Sequence, residues 1–173
     1  WGDETSMPKT AGKIFPDGDF YLTREEKALL GQIKSKFDRI VVVLNVGGIV
    51  DTSWIKEDDS VGAALLAWQG GMEGGLAMAE ILTGKENPSG KLPDSFAAKL
   101  EDYPSTEGFH ESPEYVDYTE DIYVGYRYFE TVPGMKDKVC YPFGFGLSYT
   151  QFEIKVQKAL EQQGEIILSV QVA

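Results

Sequence analysis

The chain has 173 residues, of which 42% are hydrophobic, and a formal net charge of −12. That is enough apolar material for a packed core and argues against wholesale disorder, and the length suits one domain or one domain and part of another. Lysine and arginine form no stripe, so nucleic acid and anionic membrane are poor partners, because phosphate recognition needs clustered cations.

A single cysteine, Cys140, excludes an internal disulfide and reads as a small buried hydrophobe. No run approaches the ~20 apolar residues of a membrane helix. The N-terminus lacks a signal-peptide pattern, which together with the lone cysteine favours the cytoplasm slightly. Secretion stays open because the chain starts abruptly at Trp1.

Residues 1–21 are punctuated by Gly2, Pro8, Gly12, Pro16 and Gly18 and read as irregular. Thr23-Arg24-Glu25-Glu26 has the form of a capping box and starts a helix in which Leu29, Leu30, Ile33 and Phe37 define an apolar face. Ile40 to Val46 is apolar except for Asn45, a pattern expected of a strand covered on both faces, and Gly47-Gly48 ends it. A second apolar segment runs from Gly62 to Trp68 and stops at Gly70-Gly71. Residues 73–83 read as a helix with Leu76, Ala77, Ala79, Ile81 and Leu82 on its core face, and Asn87-Pro88-Ser89-Gly90 reads as a turn. Helix, strand, connection, strand, helix is the rhythm of an α/β fold with a mainly parallel sheet. Right-handed crossovers would place both glycine pairs at the carboxyl edge of that sheet, where ligands usually sit.

From about Ala98 to Gly146 regular periodicity is lost in a stretch of aromatics, prolines and acids. Phe152, Ile154 and Val156 then alternate, as does Glu165 to Val172 more loosely, in the manner of antiparallel strands. Two strands do not make a stable sandwich by themselves.

Few residues stand out as chemistry. His110 lacks the Gly-x-Ser-x-Gly elbow of a hydrolase triad and reads as an ordinary loop histidine. One His and one Cys are too few for zinc, so no metal and no cofactor is expected. Gly47-Gly48 and Gly70-Gly71-Met72-Glu73-Gly74-Gly75 match neither a dinucleotide fingerprint nor a Walker loop, and tight strand-to-helix turns account for them better. Glu73 suits the positive end of a helix dipole without any catalytic role. Trp68-Gln69 carries the equipment for a sugar, an indole to stack on a pyranose face beside an amide to bond its hydroxyls, although on spacing alone packing is the better account of Trp68. Glycoside hydrolysis needs two facing carboxylates, but Asp17, Asp19, Glu57, Asp58, Asp59 and Glu120 each read as solvated surface.

Two aromatic blocks are more telling. They run from Tyr118 through Tyr123-Val124-Gly125-Tyr126-Arg127-Tyr128-Phe129 to Glu130, and from Tyr141-Pro142-Phe143-Gly144-Phe145-Gly146 to Thr150. With Val41 to Gly48, Trp68 to Gly75, and Gly84 to Pro93 around Asn87-Pro88-Ser89-Gly90-Lys91-Leu92-Pro93, they resemble glycoside hydrolase family 3 over roughly residues 20–155. The resemblance implies a partial α/β/α sandwich over residues 1–97, an aromatic-rich connector over 98–147, and the first strands of a fibronectin-III-like domain over 148–173. It also implies a retaining, exo-acting glycosidase, most often a β-glucosidase, acting on a β-glucoside or oligosaccharide. In such enzymes an aspartate nucleophile comes from a (β/α)8 barrel and a glutamate acid/base from the sandwich.

Nothing in this chain resembles the barrel. Where the family's acid/base loop is expected, Lys13 follows Gly12, so the role is carried onto neither Asp17 nor Asp19. The chain therefore reads as an inactive fragment without its barrel, closest to members in which the sandwich precedes the barrel, with Trp68 and Gln69 lining the sugar pocket. The alternative is a stand-alone carbohydrate-binding or scaffold module.

Overall fold

The computed structural model describes residues 19–108, 112 and 114–173; His110 and Asp17 lie outside the described residues. The first helix, α1 (Arg24–Lys34), starts at the expected capping box. The Thr23 hydroxyl accepts from the Glu26 amide at 3.0 Å while the Thr23 amide donates to the Glu26 carboxylate at 2.8 Å, so two amides of the first turn are satisfied reciprocally. Strand β1 (Ile40–Leu44) follows and pairs in parallel with β2 (Val61–Leu66), with Val42 opposite Ala64 and Leu44 opposite Leu66. The connection carries the short helix α2 (Ser53–Glu57), which buries Ile55, and β2 leads into α3 (Gly74–Leu82).

The expectation that β1 is covered on both faces does not hold. Val41 is 57% exposed and Val43 40%, and on α3 the intended core residues Leu76 and Leu82 are exposed too. Among the described residues no second layer closes over that face of the two-stranded β1–β2 sheet, so a run of valines suited to a sandwich interior keeps one face open.

The connector is more ordered than its loss of periodicity suggests. It holds α4 (Ser105–Gly108), α5 (Tyr126–Thr131) and strand β4 (Val139–Tyr141), which pairs antiparallel with β3 (Phe96–Ala97). The tightest packing in the described residues lies here. Phe96 and Phe129 are fully buried, and the ring of Tyr103 meets Phe129 edge-on at 5.4 Å and Phe20 at 6.2 Å. Tyr126 stacks on Phe143 at 4.2 Å, joining the two aromatic blocks. Asp102 is buried beneath this cluster and receives the Lys138 ammonium at 2.6 Å, which raises the lysine's pKa through that hydrogen bond first and the carboxylate's charge second. The short elements of the connector carry no regular apolar repeat, so they are not legible in sequence.

The chain ends in an antiparallel hairpin, β5 (Ile154–Gln162) and β6 (Glu165–Val172), as the alternation indicated. Gln163 (φ 56°) and Gly164 (φ 80°) make the tight turn, both in the left-handed region that a two-residue type I′ loop requires. A register shift between Val156 and Lys158 restores the phase of the apolar positions. On either side of it Ile154, Val156 and Ala159 face Val172, Val170 and Leu168, so one side of the ribbon is apolar until Glu161, opposite Ile166, near the turn. All residues of both strands are exposed.

Candidate functional site

The two parallel strands end side by side, and their turns build the carboxyl edge. After β2 the ladder runs one residue further, with the Ala67 amide donating to the Leu44 carbonyl at 2.8 Å. Trp68 then takes a left-handed conformation, φ 50°, uncommon for a bulky side chain. That turn lays the half-buried indole against the buried ring of Phe96, with centroids 6.2 Å apart and planes at 55°. Backbone strain of this kind persists only where surrounding contacts over-determine it.

Gln69 is exposed, and its side chain lies over the turn that ends β1. A Cβ at Gly47 would stand 2.8 Å from Gln69 Nε2, so the glycine is what lets the amide cross from one turn to the other. Gly70 is constrained likewise, because its Cβ would stand 2.8 Å from the Gly74 Cα at the start of α3. The edge thus offers an aromatic surface and an amide within one turn, the chemistry that binds a polyol with one apolar face. Glu73, at the N-cap of α3, makes no side-chain capping bond.

The acids singled out in the sequence do not gather here. Asp19, Glu57 and Asp59 are exposed, and Glu120 is half-buried in the connector. Asp58 is engaged elsewhere: the Lys34 ammonium first, then the Ser60 hydroxyl, hold its carboxyl down at about 2. Cys140 is half-buried in β4, where burial raises its thiol pKa. Among the described residues no group of His, Cys, Asp and Glu could hold a metal ion, and no helix is long and apolar enough to cross a membrane.

Sequence reasoning passed over a concave feature elsewhere, an open cleft between α1 and α2. Tyr21, Leu30, Lys34, Asp51 and Trp54 line it, and the Trp54 indole is fixed by donating to the Asp51 carbonyl at 3.0 Å. Trp68 and Gln69 take no part in that cleft. The residues come from three separated segments of ordinary composition, so nothing in the sequence marks them as a group.

A parallel strand pair that ends in glycine turns bearing an indole and an amide, continued by an aromatic connector and a β-hairpin, defines a mixed α/β unit. The chain belongs to glycoside hydrolase family 3: the family model described as "Glycosyl hydrolase family 3 C-terminal domain" matches residues 5–149. It is 67% identical over 153 residues to beta-glucosidase A of Butyrivibrio fibrisolvens, covering 88% of this chain and 18% of that protein. It is 47% identical over 150 residues to a beta-glucosidase of Ruminococcus albus, covering 87% of this chain and 15% of that protein. Among solved structures, a beta-glucosidase from Paenibacillus barengoltzii superposes with a TM-score of 0.80 at 48% identity, over 91% of this chain and 17% of that one. Beta-glucosidase 3B from Thermotoga neapolitana in complex with glucose superposes with a TM-score of 0.75 at 38% identity, over 91% of this chain and 22% of that one. The chain therefore spans less than a fifth of the length of these curated relatives.

Proposed function

We propose that this chain is the non-barrel part of a retaining, exo-acting glycosidase that releases terminal β-D-glucosyl residues, and that Trp68 and Gln69 line one wall of its sugar pocket. The observation that carries this reading is the strained Trp68 turn beside Gln69 at the sheet edge, in a chain whose relatives are named beta-glucosidases. The indole stacks on the apolar face of the glucosyl ring, and the amide bonds to hydroxyls at its rim. The nucleophile comes from the (β/α)8 barrel, which attacks the anomeric carbon while an acid protonates the leaving oxygen, and water then releases the sugar.

In this reading residues 1–97 form the α/β part, 98–147 the connector, and 148–173 the start of a fibronectin-III-like sandwich. The open surfaces fit that division. The apolar face of the β5–β6 ribbon is the inner face of a β-sandwich, and the exposed Tyr118, Tyr123 and Ile122 of the connector are a surface for the barrel.

The test is hydrolysis of an aryl β-glucoside by the chain alone and by the protein joined to a family barrel. The expected result is no turnover alone, activity in the joined protein, and a fall of about tenfold or more in kcat/KM there for Trp68→Ala or Gln69→Ala, as loss of a stacking or hydrogen-bonding contact predicts. Turnover by the chain alone overturns the assignment of the nucleophile to the barrel. Saturable glucose binding by the chain alone, with no activity in either form, favours a binding module instead.

A further inference from the structure

Two sequence blocks that stand more than fifty residues apart, Asn87 to Leu92 and Gly144 to Thr150, meet in the fold as the halves of one clasp. Their backbones pair directly: the Leu92 amide donates to the Phe145 carbonyl and the Gly144 amide to the Leu92 carbonyl, each at 2.8 Å. The Lys91 ammonium donates to the Gly146 carbonyl. The approach is so close that a Cβ at Gly146 would stand 2.5 Å from the Gly90 carbonyl oxygen, so no other residue fits there without moving the backbone.

Asn87 is the pin. Its Oδ1 accepts from the Ser148 hydroxyl and from the Tyr149 amide, both at 2.9 Å, and its Nδ2 donates to Thr150 Oγ1 at 2.9 Å. Beside it the Tyr149 hydroxyl donates to the Ile81 carbonyl at 2.8 Å, a second donor on a carbonyl in the last turn of α3 that also accepts from the Gly84 amide at 3.0 Å. The contacts of Ser148, Tyr149 and Thr150 lie just before the point where β5 begins. The hairpin itself exposes every residue of both strands, so burial contributes little to holding it in place.

We propose that Asn87 is a positioning residue that sets the orientation of the β5–β6 hairpin relative to α3. Because α3 starts in the glycine turn that carries Trp68 and Gln69, one nine-residue helix links that turn to the hairpin. This role stands independently of any catalytic assignment.

The experiment is 15N relaxation and amide hydrogen exchange on the full 173-residue chain. In the unsubstituted chain the β5–β6 amides are expected to tumble with those of α3. Asn87→Ala should speed exchange of the Tyr149 amide by about two- to tenfold, the loss of one modest hydrogen bond. It should also let the hairpin reorient independently while the Glu26 amide of the α1 cap stays unchanged. Asn87→Asp should retain the coupling, because its carboxylate still accepts from Ser148 and Tyr149 and the Thr150 hydroxyl can turn to donate. Independent motion of the hairpin in the unsubstituted chain, or no change in Asn87→Ala, overturns the proposal, as does an Asn87→Asp chain as loose as the alanine variant. Should Asn87→Ala fail to fold, Tyr149→Phe removes the bond to Ile81 alone; faster hairpin motion in it supports the clasp and unchanged motion overturns it.

Discussion

The phenol oxygen of Tyr103 accepts a 2.7 Å hydrogen bond from the amide of Ala97, a residue with no exposed surface, and donates to the Ser95 carbonyl at 3.2 Å. One side chain thus satisfies both backbone groups where β3 begins. Tyr103→Phe keeps the ring contacts with Phe129 and Phe20 but orphans the buried amide. A loss of about 1–3 kcal/mol in urea unfolding is expected. Burial, the largest influence, pushes the phenol's pKa above its ordinary value of 10.0. Its stabilising effect is full below the unfolded pKa and fades as pH rises beyond it, so the same variant should flatten the alkaline limb of the stability profile.

Trp68 offers a test of backbone strain against packing. With φ at 50°, alanine at this position keeps the strain and loses the Phe96 contact, whereas glycine loses the contact but accepts the conformation. Trp68→Gly should therefore be the more stable of the two by about 1 kcal/mol, reversing the usual order. Equal denaturation midpoints would mean that the turn relaxes when the indole is removed.

Gly125 is constrained twice. Its φ is 58°, and an added Cβ would stand 2.8 Å from Asp94 Oδ1, which accepts from the Ser95 amide. Gly125→Ala should cost about 1–3 kcal/mol. Adding Asp94→Ala should recover the steric part and leave the backbone part, so a double-mutant cycle on unfolding midpoints separates them.

Asp58 governs an acid-sensitive contact. Its carboxyl is lowered from 3.8 to about 2 by the Lys34 ammonium and the Ser60 hydroxyl and amide, so the contribution to stability is complete above about pH 5 and is lost as pH falls through 3.8 towards 2. Asp58→Asn should make unfolding midpoints less dependent on pH in that window and leave the slope above pH 5 unchanged. An identical profile in both chains would show that the pair contributes nothing to folding.

The Asp102–Lys138 pair is asymmetric, with the carboxylate buried and the ammonium half-exposed. Lys138→Met strands a buried charge, whereas Asp102→Asn keeps an acceptor for the lysine, so the lysine variant should have the lower urea midpoint.

Much of this molecule is local and could be read directly. The α1 cap, the parallel pair, α3 and the hairpin each repeat a short-range pattern over five or more residues, and a pattern of that kind is written wherever neighbours along the chain share a face. The family was legible for the same reason: its blocks are contiguous. What the sequence could not disclose is which distant segments touch. The pin between Asn87 and Thr150, the amide of Gln69 crossing to Gly47, the phenol of Tyr103 under β3 and the cleft at Trp54 all join residues whose separation along the chain carries no period. The open side of β1 was equally hidden, because Val41 and Val43 record the polarity of the environment they suit, and only the number of layers around them decides whether that environment is supplied.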